Sequence, residues 1–304
     1  MEIGKKVSII TVNYNGLSDT CALIDTIPFN DEYSLEVIVV DNASREDEAS
    51  IIKQRYPQVT VIRSEENLGF AGGNNLGIKA AHGKYLYFIN NDTLLWRKGE
   101  NTDNASLFKP LIDRLESSPQ IGAVCPKIRF AWGNRLIQYA GYTPLSQITM
   151  RNKAIGCGEA DNGQYDTAHP TPYTHGAAMM VKREAIDKAG LMPECYFLYY
   201  EELDWSMMLR RAGYEIWYEP AATIYHKESQ STGQNSPLRT FYITRNRLLF
   251  VKRNVCGIEK YLSYLYIIGV VAIRDVLKYL IKGRPDLSQA VINGINNFQH
   301  STKK

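Results

Sequence analysis

Two amides and an acid follow directly on a short apolar run near residue 90. The run is YLYFI (85–89), and the next residues are Asn90, Asn91 and Asp92. A strand that simply ends needs one turn residue, and an Asn-Asp pair would serve. The alternative is a binding site, in which Asp92 lies at the edge of a sheet and holds a cation. These residues alone favour the turn, so other parts of the chain have to decide.

A second set of acids follows an aromatic run, where the sequence reads YFLYYEELD (196–204). Glu201 and Glu202 are adjacent, and Asp204 comes two residues later. The favourable interaction of acids with a helix N-terminus would explain one or two of them. Aromatic side chains beside carboxylates are also found on sugar-binding surfaces, where a glutamate can act as general base. The sequence leaves both interpretations open.

The elements that must position these acids alternate along the first part of the chain. Short apolar segments predict buried strands over 7–12, 35–40, 59–62 and 85–89. The intervening segments predict helices over 17–27, 45–55 and 74–82. This alternation is typical of a parallel sheet covered on both faces. Ligands of such sheets bind outside the carboxyl ends of the strands.

The later part of the chain is less regular. We expect a polar surface loop over 97–106, a helix over 107–117 and loops or a short irregular ribbon over 133–172. A strand leading into a helix that ends at Gly190 is predicted for 177–190, and a further helix for 201–213. Its acidic first turn, basic last turn and final glycine are typical helix boundaries. Extended chain is predicted over 214–226.

Each of the first four predicted strands is followed by hydrogen-bonding residues: NYNG, DNAS, SEENLGFAGGNN and NNDT. Four consecutive polar strand ends are harder to explain as turns than one. The third contains a glycine cluster, which would let backbone N–H groups approach an anion at the start of the next helix. The residues predicted to contact a substrate here are Asn13, Asn15, Asp41, Asn67, Gly69, Gly72, Gly73, Asn74 and Asn91.

His226 ends the last extended segment. A lone histidine is more often structural than a ligand. An aspartate and a neutral imidazole that meet at one edge of a sheet can nevertheless hold Mn²⁺ or Mg²⁺, and both ions also accept diphosphate oxygens. Asp92 and His226 are therefore the predicted ligands of a divalent metal.

Composition and charge bound the other possibilities. Of the 304 residues, 44% are hydrophobic and 22% charged, as in an ordinary globular protein. Five scattered cysteines without a C-x-x-C pair, and a start without signal-peptide features, predict a cytoplasmic protein with reduced thiols. No nucleic-acid partner is expected. The glycine spacing also differs from G-x-G-x-x-G and from a Walker loop, which argues against a dehydrogenase.

The C-terminal region is basic and apolar. Residues 239–304 contain twelve Lys and Arg against three acids, so their net charge is +9, whereas residues 1–238 have a net charge of −6. The charge-free stretch 261–273 is shorter than the ~20 residues of a spanning helix. Arg274, Lys278 and Lys282 are spaced to share one stripe of a helix. Such a helix would lie on an anionic membrane surface, or pack on the domain or a second copy of the chain as a homodimer.

The quoted segments, together with THGAAMMVKREAIDKAG and TFYITRNRLLFVKRN, closely resemble family 2 glycosyltransferases of the GT-A fold, especially the rhamnosyltransferase-like branch. They match in order over residues 7–253. The resemblance implies that Asp41 binds the nucleotide base, that Asp92 is the last acid of a D-x-D motif, and that His226 is a second metal ligand. Asn90 replaces the first acid of that motif.

The same resemblance implies a role for the paired glutamates. The usual base is the aspartate of an acidic pair, and here that position is Glu202, preceded by Glu201. The loop at Gly176 would line the sugar pocket. Asp204 and Arg245 lie in matching segments and complete the predicted substrate-binding set.

The implied fold is α/β, with a mostly parallel Rossmann-like central sheet, helices on both faces and a C-terminal helical extension. Residues 1–253 would form the catalytic domain, with a nucleotide-binding half (about 1–92) and an acceptor-binding half (about 93–253), followed by an extension at 254–304. Tyr199 and Tyr200 would shape the acceptor side or pack in the core.

The implied activity is that of an inverting glycosyltransferase. A dTDP- or UDP-linked sugar would be the donor, with dTDP-rhamnose the first choice. The acceptor would be a hydroxyl of a cell-surface saccharide or a lipid-diphosphate-linked precursor, reached from the cytoplasm or the inner face of a membrane. The alternatives are a non-catalytic carbohydrate-binding protein or a nucleotidyltransferase on a similar fold.

Overall fold

The fold consists of one mixed sheet with helices packed against it. The structure is a computed structural model and describes residues 6–29, 33–96, 107–228 and 236–301. The strands are β1 (Lys6–Asn13), β2 (Ser34–Asp41), β3 (Thr60–Arg63), β4 (Tyr85–Ile89), β5 (Thr93–Leu94), β6 (Ile121–Phe130), β7 (Ile137–Tyr139), β8 (His169–Pro170), β9 (Ala178–Lys182) and β10 (Glu215–His226). The α-helices are α1 (Leu17–Ile24), α2 (Glu48–Arg55), α3 (Gly69–Ala80), α4 (Phe108–Glu116), α5 (Arg183–Ala189), α6 (Glu201–Arg211), α7 (Pro237–Asn254), α8 (Gly257–Tyr266), α9 (Ile273–Ile281) and α10 (Pro285–Ser301).

The strand order is β3-β2-β1-β4-β9-β6-β10-β5, with β7 paired to β6 and β8 to β10. The first four strands run parallel, as do β6 and β10, whereas β9 is antiparallel to both of its neighbours. Right-handed crossovers place α1 and α2 on one face and α3 on the other, because the strand order reverses between β1 and β4. The predicted α/β fold, with a mostly parallel sheet covered on both faces, is confirmed.

The start of α3 differs from the sequence prediction. The predicted helix begins at residue 74, after the glycines, but α3 begins at Gly69 and contains them. A Cβ on Gly73 would lie 2.9 Å from Val12, and one on Gly77 would lie 2.4 Å from Ile10. Since glycine lets this helix approach β1 closely, packing against the sheet outweighs its low helix propensity.

In the second half, the elements between residues 177 and 226 follow their predicted boundaries, whereas strand β6 was not predicted and the short strands β7 and β8 lie in the stretch expected to be irregular. Strand β9 leads into α5, which ends at Gly190 with φ of 93°, a backbone conformation that favours glycine. Helix α6 and strand β10 correspond to the predicted helix at 201–213 and extended segment at 214–226. The surface loop predicted over 97–106 lies outside the described residues.

The C-terminal helices share a small core with the segment that precedes α6. Between α8 and α9 the helix continues as a π-helical segment, Ile267–Ala272. The small core contains Met150, Tyr196, Leu248, Phe250, Val251, Ile267 and Phe298. Among the described residues, no helix combines the length and hydropathy that crossing a membrane requires.

Candidate active site

A chain of side-chain hydrogen bonds joins four neighbouring segments at the carboxyl edge of the sheet. Asn91, in the turn after β4, donates to Oγ1 of Thr20 over 3.0 Å. Thr20 donates to Oδ1 of Asn13 over 2.6 Å, and Asn13 in turn donates to Oδ1 of Asp41 over 3.0 Å. The turn that contains Asp92 and the end of β2 are thus linked through side chains of α1 and β1.

Asp41 is fully buried at the end of β2. Its Oδ1 accepts hydrogen bonds from Asn13 and from Ser44, at 3.0 and 2.5 Å. Its Oδ2 is buried without a hydrogen-bond partner, although Nε of Arg63 lies 3.8 Å away. A buried carboxylate oxygen that lacks a donor is costly, so this atom is suited to accept a hydrogen bond from a ligand.

Asn13, the last residue of β1, and Asn15 in the following loop hold the loops around Asp41 in place. Asn13 is buried and its amide also reaches Glu48 at 2.7 Å. Asn15 has a φ of 51°, and its side-chain oxygen accepts from the backbone N–H of Arg45 at 2.9 Å. Both side chains bind other parts of the protein, so their effect on a substrate would pass through the loop geometry.

The glycine cluster is occupied by protein contacts rather than left open for an anion. The N–H of Leu68 donates to Asn42, that of Gly69 to Asn67, and that of Phe70 to the carbonyl of Phe197 at 2.8 Å. A Cβ on Gly69 would lie 2.1 Å from that same carbonyl oxygen. These three amides are therefore satisfied within the protein, which corrects the expectation of an anion cradle here.

Three other predicted residues of this cluster lie inside the fold. Gly72 packs on Leu68, where a Cβ would be 2.6 Å away, and Gly73 packs on Val12. Asn74 is buried, and its amide donates to the carbonyl of Phe70 over 2.9 Å. The structure gives these residues packing contacts and no exposed group that would face a substrate.

Asp92 and His226 meet at the predicted position. Oδ1 of Asp92 lies 3.1 Å from Nε2 of His226, and both side chains are largely buried. On the other side of the ring, Nδ1 of His226 lies 2.9 Å from the side-chain oxygen Oε1 of the buried Gln138. An amide oxygen can only accept, so Nδ1 carries the proton, and in the neutral ring Nε2 presents a lone pair.

The donor set at this point fits a divalent cation. A carboxylate oxygen and an imidazole lone pair repel each other unless a proton or a cation lies between them. Their 3.1 Å separation is close to the roughly 3.0 Å between neighbouring ligands of an octahedral ion with bonds of about 2.1 Å. In the described part of the chain, no group of three or more His, Cys, Asp or Glu has metal-binding geometry. The other ligands would be water and substrate oxygens, as is usual for Mg²⁺.

The paired glutamates at the start of α6 differ in exposure. Glu201 is 4% exposed, with Oε2 buried and without a hydrogen-bond partner. Burial raises its pKa well above the ordinary range, and the neighbouring charge of Glu202 raises it further. Glu202 is partly exposed, and burial raises its pKa too. Glu202 is therefore the more exposed residue of the pair, whereas the environment of Glu201 favours the protonated form of its carboxyl.

Glu202 lies next to Gly176, in the loop before β9. A Cβ on Gly176 would lie 3.8 Å from Cγ of Glu202. The ring of Tyr142 stacks on that of His175, with centroids 5.8 Å apart and planes at 5°. Burial raises the pKa of Tyr142, and the charge of Glu202 contributes to the shift. Burial lowers the pKa of His175 to about 3, with a smaller effect of His226, so this ring is neutral at physiological pH.

The sequence reasoning missed Tyr142, His175 and Gln138. His175 could have been found because it precedes Gly176, a predicted site residue, in the segment THG (174–176). Gln138 lies in the short strand β7 and Tyr142 shortly after it, and neither has a local sequence pattern that would mark it.

The backbone before Glu201 is strained and is held by α7. Phe197, Tyr199 and Tyr200 have φ values of 67°, 69° and 78°, in a region that bulky residues rarely adopt. Asn246 is fully buried, and its amide nitrogen lies 3.0, 2.7 and 2.8 Å from the carbonyl oxygens of residues 196, 198 and 199. These contacts offset the strain and fix the backbone that leads into the two glutamates.

Arg245 belongs to the same clamp. Its guanidinium donates to the carbonyls of Cys195 and Tyr196, both at 2.7 Å, and lies over the ring of Tyr242. The structure thus places this predicted substrate-binding residue against the protein backbone. Tyr200 packs on Phe250, with ring centroids 5.8 Å apart, and Tyr199 lies beneath the guanidinium of Arg239.

Asp204 is not brought to the cleft. Its side chain is fully buried and is bound by Arg253 and by the amide of Asn254 at 2.8 Å, both on α7. A second arginine, Arg211, lies 3.8 Å away. This correction has a simple physical reason: a buried carboxylate needs cationic partners, and Arg253 of α7 and Arg211 of α6 supply them. Asp204 therefore joins α6 to α7.

The sequence is similar to those of known glycosyltransferases. The model of the family described as Glycosyl transferase family 2 matches residues 8–190. The chain is 24% identical to the low-salt glycan biosynthesis hexosyltransferase Agl10 of Haloferax volcanii, over 98% of this chain and 92% of that protein. It is also 24% identical to an N-acetylglucosaminyl-diphospho-decaprenol L-rhamnosyltransferase of Mycobacterium tuberculosis, over 75% of this chain and 78% of that protein.

Solved structures share the fold at low sequence identity. A mannosyltransferase of Pyrobaculum calidifontis, in complex with GDP-Man and Mn²⁺, aligns with a TM-score of 0.56 and 16% identity, over 94% of this chain and 74% of that one. GalNAc-T7, with UDP, GalNAc and Mn²⁺, aligns with a TM-score of 0.57 and 15% identity, over 90% of this chain and 57% of that one.

Proposed function

The chain belongs to glycosyl transferase family 2, and we propose that it is an inverting enzyme that moves a sugar from a nucleotide-diphospho-sugar to a hydroxyl. The observation that carries this proposal is the meeting of Asp92 and His226 at 3.1 Å. It supplies two metal ligands at the carboxyl edge of the sheet, where a diphosphate would lie.

The residues divide the work of the reaction between the two halves of the sheet. Asp41 would accept a hydrogen bond from the base through its unpartnered Oδ2. Asp92 and His226 would hold Mn²⁺ or Mg²⁺, and the bound ion would stabilise charge on the leaving diphosphate. Gln138 keeps the proton of His226 on Nδ1, so that Nε2 is free to bind.

Glu202 is the proposed general base. Its carboxylate would take the proton of the acceptor hydroxyl as that oxygen bonds to the anomeric carbon, while the bond from this carbon to the diphosphate breaks. A single displacement of this kind inverts the configuration. The raised pKa of Glu202 makes the carboxylate a stronger base than an exposed glutamate.

The donor and acceptor are inferred from the relatives. We propose L-rhamnose from a dTDP-linked donor as the first choice, with UDP-linked hexoses next. A saccharide carried on a lipid diphosphate is the proposed acceptor, since the mycobacterial relative is named for such a substrate and the archaeal one for glycan biosynthesis.

A thermal-shift panel tests the proposal. The protein is mixed with dTDP-rhamnose, UDP-glucose and GDP-mannose, with and without Mn²⁺, and release of nucleoside diphosphate is followed in parallel. A shift with one donor that requires metal, together with metal-dependent release, is expected. Sugar binding that is indifferent to nucleotide and metal, without release, would instead identify a carbohydrate-binding protein.

A further inference from the structure

The exposed surface of α8 and α9 carries an unusually apolar stripe, which we call the 258–281 face. Its members are Ile258, Tyr261, Leu262, Leu265, Val270, Ile273, Leu277, Leu280 and Ile281. Their exposed fractions reach 70% for Tyr261, 69% for Leu265 and 86% for Ile281. Single exposed apolar residues are ordinary, but a continuous row marks a surface that contacts something else.

The π-helical segment brings the two halves of this stripe into line. In an uninterrupted α-helix, at about 100° per residue, Ile258 and Ile281 would lie about 140° apart around the axis. The segment Ile267–Ala272 has i→i+5 bonding and so holds about one extra residue in its turn. That extra residue reduces the offset to about 40°, so both ends of the stripe share one face.

The neighbouring helix shows that the apolar exposure is local. Helix α10 packs beside α9, and its exposed side chains are mostly amides and other polar groups, among them Gln289, Asn293, Asn296 and Asn297. Ile292, 41% exposed, is its large apolar exception. A general excess of surface apolar residues in this region would have affected both helices.

Basic side chains run along one flank of the stripe. Arg274, Lys278 and Lys282 are all exposed and recur every four residues, next to Ile281 on the helix surface. Arg274 pairs with Asp275 at 2.6 Å. Within the described residues, neither Lys278 nor Lys282 lies within ion-pair distance of a carboxylate. Two cations are thus left for an external anion.

From these observations we propose that the 258–281 face docks on an anionic phospholipid surface. An apolar stripe with a basic flank is the pattern of a helix that lies in the plane of a membrane interface. The apolar side chains would enter the acyl boundary, while Lys278 and Lys282 would contact lipid phosphates. The proposal does not depend on which sugar the enzyme transfers.

Vesicle sedimentation of the full chain tests this. Phosphatidylcholine vesicles with phosphatidylglycerol are expected to pellet most of the protein at low salt, and pure phosphatidylcholine vesicles much less. The double variant Leu277→Asn/Ile281→Asn should reduce the bound fraction severalfold, and Lys278→Gln/Lys282→Gln should do so on anionic vesicles. Ile51→Asn and Lys53→Gln, matched exposed changes on α2, should bind like the wild type.

The opposite results would be equally clear. Binding that is unchanged in both double variants, or equal on neutral and anionic vesicles, overturns the proposal. A protein that ignores vesicles, and that is a dimer in light scattering but a monomer as Leu277→Asn/Ile281→Asn, shows that a second copy covers the face. Unchanged thermal unfolding and donor hydrolysis verify that each variant is folded.

Discussion

Gln138 accepts a hydrogen bond from Nδ1 of His226 across 2.9 Å, on the side of the ring away from Asp92. The two residues are separated by 88 positions in the chain, and β6, β7 and β10 bring them together. This contact selects the tautomer in which Nε2 can bind a metal, so Gln138 would orient the proposed ligand His226 without touching the metal itself.

Replacement of Gln138 should therefore weaken metal use. Gln138→Leu removes the acceptor, and we expect the Mn²⁺ concentration for half-maximal turnover to rise ~10–100-fold. Gln138→Glu keeps an acceptor and should retain most of the metal affinity. Equal, small effects of both variants in metal titrations would show that the contact is only structural.

Asp92 itself should be required for metal-dependent donor binding. Asp92→Asn keeps the shape of the side chain but removes its charge, so the nucleoside diphosphate should no longer bind more tightly when Mn²⁺ is added. Isothermal titration with and without chelator measures this. Asp113→Asn, an exposed change on α4, is the control. Full turnover of Asp92→Asn in chelator would contradict the assignment.

Glu202 should control the acidic side of the pH profile. Glu202→Gln should lower turnover ~10²–10⁴-fold while donor binding stays nearly intact. As the proposed base, Glu202 has to be ionised, so wild-type activity should fall as the pH drops through a pKa raised by burial. The midpoint should lie above the ~4.3 of a free glutamate. A large loss in Glu201→Gln but not in Glu202→Gln would exchange the two roles.

Glu201 should make stability depend on pH. Because burial raises its folded-state pKa above the unfolded value, its contribution is complete below about pH 4.3 and is lost as the pH rises through the folded-state pKa. Glu201→Gln cannot ionise, so it should gain stability over the wild type between acidic and neutral pH. Urea unfolding at both pH values measures the difference, with the exposed Glu46→Gln as control.

The parts of the fold and of the candidate site that are marked by a local sequence pattern could be predicted from the sequence, and those created by contacts between distant segments could not. The strand ends could be predicted because each polar group follows its own apolar run. The proximity of Asp92 and His226 could be predicted because both lie at strand ends that meet at one edge of the sheet. Gln138, Asn246 and the partners of Asp204 were not visible, since their roles come from contacts between distant segments. The start of α3 was misplaced because propensity cannot anticipate that β1 needs a glycine-lined helix face.

Asn246 should matter for both stability and turnover. Asn246→Leu removes the side-chain donor to the carbonyls of residues 198 and 199, whereas that of Tyr196 still accepts from Arg245, and unsatisfied buried groups cost about 1–3 kcal/mol. We expect lower thermal stability and a lower kcat, with the donor Kd nearly unchanged because the amide of Asn246 binds residues 196, 198 and 199 rather than Asp41 or Asp92. Asn296→Ala on the exposed face of α10 should change neither. Loss of stability with full kcat would show that the clamp does not position the base.

The segment that precedes Glu201 is bonded from two directions, by Phe70 of α3 and by Asn246 of α7. It therefore has no route to open locally without also disturbing one of those helices. In amide hydrogen exchange, the N–H of Phe70 should consequently exchange with the slow helix interiors rather than with surface loops. The paired glutamates would then lie on a part of the molecule that exchanges by global or near-global unfolding.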